Sequence, residues 1–80
     1  MEKERKDLFL NGASVLAIEK YNKQIHFLTV TPDGEGMREV SCVEFLEELK
    51  SLAFVFATSW NKEIINDYRA FYEYYRKVVQ

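Results

Sequence analysis

Cys42 and His26 are the side chains with which this chain could do nucleophilic chemistry, because it holds no other cysteine and no other histidine. A thiol in the first turn of a helix faces unpaired amide N–H groups and the positive end of the helix dipole. Both favour the thiolate, and His26 would then serve as its base. That is one reading, a small enzyme with a cysteine nucleophile. The ordinary roles of these residues outweigh it: a free cysteine is usually a small packed side chain, and a strand histidine usually faces solvent or a backbone acceptor. We therefore expect no catalytic residue. One cysteine and one histidine also rule out an internal disulfide and a four-ligand zinc site built from these residue types.

Asp33-Gly34-Glu35-Gly36 sets carboxylates among glycines. It lacks the successive oxygen ligands of a calcium loop and has neither Walker nor dinucleotide spacing, so it reads as a turn, and no metal or cofactor is expected. Glu44, Glu47 and Glu48 make an acidic flank. Such a flank is ordinarily a solvated face, but beside exposed apolar groups it can steer a basic partner or mimic phosphates. The tail from Tyr68 to Lys77 mixes tyrosines with Arg69, Arg76 and Lys77, the combination that grips single-stranded nucleic acid. A nucleic-acid-binding domain using this C-terminal helix is the alternative reading. Spacing weakens it, because Tyr68, Phe71, Tyr72 and Tyr75 recur on one helical side as a packing stripe. Glu63, Asp67 and Glu73 also offset most of the positive charge.

Composition bounds these readings. Eighty residues that are 48% hydrophobic and 30% charged suit one folded core. Eleven basic against 13 acidic residues, a net charge of -2, provide no general attraction to phosphate or to an anionic membrane. The longest apolar run, Leu52 to Ala57, falls far short of the roughly 18 residues a membrane helix needs. Met1 to Asp7 lack the apolar region of a signal peptide, and a single free thiol suits a reducing compartment, so a cytoplasmic protein is expected.

The elements that must position these residues follow from the chain's punctuation. Ala13 to Tyr21 and Gln24 to Thr31 are rich in β-branched and aromatic residues and are separated by Asn22-Lys23, which predicts a hairpin. Good helix formers in Leu16 to Lys20 leave a helix open there, but Gln24 to Thr31 needs a strand partner. Pro32 to Gly36 forms the next turn, and Met37 to Val40 returns as a third strand. Residues 1–12 are expected as an N-terminal arm or short helix, since Glu2 to Lys6 are poor strand formers. Asn11-Gly12 is nevertheless also a hairpin signal, which would make Leu8 to Leu10 a strand.

Ser41-Cys42-Val43-Glu44 has the form of a capping box, in which Ser41 and Glu44 satisfy each other's amides at a helix start. Cys42, Phe45, Leu46, Leu49, Leu52, Ala53, Phe56 and Ala57 then share one side. Phe54 and Val55 break this pattern, so either the helix continues with both sides covered, or residues 53–58 form a fourth strand. The absence of Gly or Pro there favours the helix. Asn61 can cap a second helix whose apolar arc runs from Ile64 to Val79. The expected fold of residues 13–80 is α+β: a small antiparallel three-stranded meander covered on one face by two C-terminal helices, with a fourth strand left open.

Aromatic residues make up 15% of the chain, and a domain this small has limited room to bury them. The expectation is a non-catalytic protein–protein interaction module, either an inhibitor, an adaptor or an accessory subunit, with a homodimer among the forms it could take. Phe54, Val55, Trp60, Tyr72 and Tyr74 are the expected contact residues, rimmed by Glu47 and Glu48. No motif is specific enough to assign a family.

Overall fold

In the computed structural model, which describes residues 3–58 and 61–80, hairpin geometry organises the first half of the chain. Strands β1 (Lys3–Leu10), β2 (Ala13–Tyr21), β3 (Gln24–Val30) and β4 (Met37–Val40) pair in sequence order as one antiparallel sheet. The first turn has positive φ at Asn11 (54°) and Gly12 (83°), and the second at Asn22 (54°) and Lys23 (66°). Consecutive positive φ values match the right-handed twist of the flanking strands, and Asn and Gly adopt them at little cost. Lys23 adopts the same conformation against its steric preference.

The N-terminal segment is a strand, not the arm or helix its composition suggests, so the sheet has four strands. Tertiary interactions override local propensity here. Asn11-Gly12 turns the chain back on itself, Leu8 is fully buried, and Leu10 packs against the core. The charges of β1 are matched across the sheet: Glu19 accepts from the Arg5 guanidinium at 2.8 Å and lies 3.2 Å from the Lys3 ammonium. The register shifts between Leu8 and Phe9, which pair with Leu16 and Ser14, so the extra residue of this irregularity is Val15 in β2.

Helix α1 (Cys42–Ala57) is continuous, so residues 53–58 add no strand. Ser41 caps it as expected, its hydroxyl accepting from the Glu44 amide at 3.1 Å. The other half of the capping box is used differently, because the Glu44 carboxylate instead accepts from Arg38 of β4 at 2.8 Å. Helix α2 (Lys62–Val79) begins with the Asn61 side chain accepting from the Glu63 amide at 2.9 Å. Both helices lie on one face of the sheet, giving an α+β two-layer domain.

Leu8, Leu16, Ile18 and Phe27 supply the sheet side of the core; Phe45, Leu49, Phe56, Phe71 and Tyr75 supply the helix side. Phe45 lies at the centre, its ring centroid 4.9 Å from Phe27, 5.8 Å from Tyr75 and 6.1 Å from Phe71. Phe56 meets Tyr68 at 5.1 Å, and the Tyr68 hydroxyl donates to the Leu49 carbonyl at 2.6 Å. One polar atom is out of place. Thr29 is 3% exposed, and its hydroxyl has no hydrogen-bond partner among the described residues.

Two substitutions test this description by urea denaturation. Thr29→Val keeps the side-chain shape and removes a buried unsatisfied group, and should raise stability by about 1 kcal/mol. Lys23→Gly should raise it by a few tenths to about 1 kcal/mol by relieving the positive φ. A loss of stability in either variant would contradict the corresponding assignment.

Candidate functional site

The sheet separates the two residues considered for catalysis. His26 lies on the open face, where its Nδ1 is 2.8 Å from the Glu39 carboxylate. Its neighbour Phe27 points the other way, into the helix layer, where the Cys42 thiol lies 3.7 Å from the Tyr75 hydroxyl. No thiol–imidazole pair forms, and Cys42 is exposed at the start of α1, outside the packed core. Burial, with the hydrogen bond to Cys42 as a second cause, pushes the Tyr75 hydroxyl up to about 12. That phenol therefore stays protonated and acts as packing. Among the described residues, no group of three or more His, Cys, Asp or Glu side chains could hold a metal ion.

The turn at residues 31–36 closes on itself. The Asp33 carboxylate accepts from the Thr31 hydroxyl and the Glu35 amide, and the Thr31 amide donates to the Gly36 carbonyl at 2.8 Å. Its oxygens serve the turn.

The tyrosines of α2 are spent largely on packing. Tyr75 is buried, and Tyr68, Tyr72 and Tyr74 are half-buried against the core. Tyr74 leans over β1 and donates to the Glu4 carboxylate at 3.3 Å. Burial raises the Tyr68 hydroxyl, and burial together with the Glu4 charge raises that of Tyr74. Their rings are not displayed as a free stacking platform.

Of the contact residues expected from sequence, the structure therefore leaves Phe54, Val55, Glu47 and Glu48 exposed, while Tyr72 and Tyr74 are half-buried. Trp60 lies outside the described residues. Phe54 is 76% exposed and Val55 45%. Val43, 69% exposed and eleven residues before Phe54, continues the outer side of the same helix. Its place next to the helix cap hid it from a reading based on the apolar stripe. At the same end of α1, a groove of about 330 Å³ opens between the helices, lined by Ala53, Phe56, Ala57, Ile65, Tyr68 and Arg69. Small side chains at 53 and 57 on α1 leave that space.

The open face of the sheet carries the main polar network. Arg5 donates to Asp7 at 2.8 and 3.0 Å and to Glu19 at 2.8 Å, and the Ser14 hydroxyl donates to Asp7 at 2.7 Å. Phe9, 54% exposed, borders it and was not among the expected contacts. Hydrogen bonds from Arg5 hold the Asp7 and Glu19 carboxyls below their usual range, with Ser14 assisting at Asp7 and Lys3 at Glu19. The Arg5 guanidinium is correspondingly held in its charged form.

No protein-family model, characterised protein or solved structure matches this chain. Among the described residues, no helix is long and apolar enough to cross a membrane.

Because Asp7 and Glu19 are more acidic in the folded chain, they favour folding above the unfolded carboxyl range. That advantage is lost as pH falls through the depressed folded values. Urea midpoints should fall on acidification below about pH 5, and Arg5→Gln should flatten the decline. Equal declines in the two proteins would contradict the network's role.

Proposed function

We propose that this chain is a non-catalytic protein-interaction module that acts by occupying a partner's surface through the outer side of α1 and the adjoining groove. The carrying observation is the Phe54 ring, left 76% exposed on a helix whose inner side holds fully buried Phe45 and Phe56. Burying a side chain of this size is worth about 1.5–3 kcal/mol, which the free protein forgoes. Val55 extends the apolar surface at this end of α1, and the groove supplies a concavity near it; Val43 stands about three turns away on the same side, beyond Lys50 and the acidic rim of Glu47 and Glu48. This arrangement suits an apolar anchor surrounded by basic groups on a protein partner.

An inhibitor, an adaptor and an accessory subunit would all use such a surface. A cytoplasmic setting suits the exposed Cys42 thiol. The nucleic-acid alternative loses support from the packing of Tyr68, Tyr72 and Tyr75, whose rings would have to leave the core to stack on bases.

Phe54→Ser should leave stability within about 0.5 kcal/mol of the parent, because the ring makes little use of the fold. It should also abolish stoichiometric retention of a protein partner from lysate of the native host. Undiminished retention by Phe54→Ser, or partner capture abolished by nuclease treatment, would contradict the proposal.

A further inference from the structure

Strand β1 is an edge of the sheet and the longer of its edges, with eight residues against four in β4. Charges on an edge strand ordinarily discourage pairing with another chain. Here their order does the opposite for one particular partner. We infer that β1 is a self-association edge, where a second copy of this chain adds its own β1 antiparallel about a two-fold axis through Arg5.

In that register Lys3 lies opposite the partner's Asp7, and Glu4 lies opposite the partner's Lys6. The two-fold repeats both pairs. Lys3, Arg5 and Asp7 share the open face of each sheet, as their common contacts with Glu19 and with one another show; Glu4, bonded to Tyr74, lies on the helix side with Lys6. Antiparallel pairing about Arg5 keeps each residue on its own face, so these opposite charges become direct cross-strand neighbours. The pair on the axis is Arg5 against Arg5. Each guanidinium is already neutralised within its own protomer by Asp7 and Glu19.

Other registers lose this match. An axis between two residues would set side chains of opposite faces against each other, which antiparallel pairing about a two-fold normal to the sheet does not allow. Centring it on Glu4 opposes Lys3 to Arg5. Centring it on Lys6 keeps a single complementary pair, Arg5 with Asp7. Charge order therefore selects both the occupant, a second copy, and its alignment. The product is one continuous eight-stranded sheet. This edge is separate from the outer side of α1, so the inference stands apart from the proposed docking role.

Sedimentation equilibrium of the whole chain at low ionic strength, from micromolar to millimolar concentration, tests the inference. A reversible monomer–dimer equilibrium is expected. Lys6→Glu sets a second carboxylate opposite Glu4 in both symmetry-related pairs and should weaken the dimer by about tenfold or more. Adding Glu4→Lys to it reverses both charges and should restore the parent's affinity, which a general loss of folding would not allow. Phe54→Ser should leave the dimer intact. A strict monomer throughout, a dimer indifferent to Lys6→Glu, a double variant that stays weak, or a dimer lost with Phe54→Ser would each overturn the inference.

Discussion

Phe45 is the constraint on which the structure depends. Its ring contacts Phe27 of the sheet and both Phe71 and Tyr75 of α2, so one side chain of α1 fixes the helix layer against the strands. The contacts set more than a distance. Phe27 can face the helices only in the register that places it beside Ile18 and Val40, and a one-residue slip would turn it to solvent. Packing of this kind is non-directional in origin but specific in shape, because interiors are filled to crystal-like density.

Around that cluster the molecule divides into surfaces with different chemistry. The open face of the sheet is dominated by ion pairs that balance internally, which lets a strand as polar as β1 join the sheet. The outer side of α1 carries apolar groups that the fold does not use. Tyr68 and Tyr74 tie α2 to its neighbours within the helix layer and at β1, with their rings against the core and their hydroxyls bonded to Leu49 and Glu4. Tyrosine suits such positions because one end is apolar and the other needs a partner.

The hairpin at Asn22-Lys23, the turn at residues 32–36, the Ser41 cap and the stripe of α2 were all legible in the sequence, since each rests on local backbone chemistry or periodicity. Strand β1 was not. The Asn11-Gly12 signal pointed only to Leu8 to Leu10, while the composition of Lys3 to Lys6 points to a helix until the burial of Leu8 and the pairing with β2 hold the whole segment extended. The departure of Phe54 and Val55 from the apolar stripe was also visible, but the continuous helix leaves that side exposed at both residues instead of covering it as the sequence suggested. Tyr74 was misleading because a helical projection shows its distance from the stripe but not β1 lying beneath it. Phe9 and Val43 gave no comparable signal, since single apolar residues next to a turn or a cap are ordinary.

The functional account rests on Phe54 being a ring the folded chain does not need for its own core. Solution NMR of the free protein measures this directly through nuclear Overhauser contacts from the Phe54 ring protons. The account predicts contacts confined to neighbouring residues of α1 and the lip of the groove. Contacts from that ring to Phe27, Phe45 or Phe71 would place it in the core and contradict the assignment of this surface to a partner.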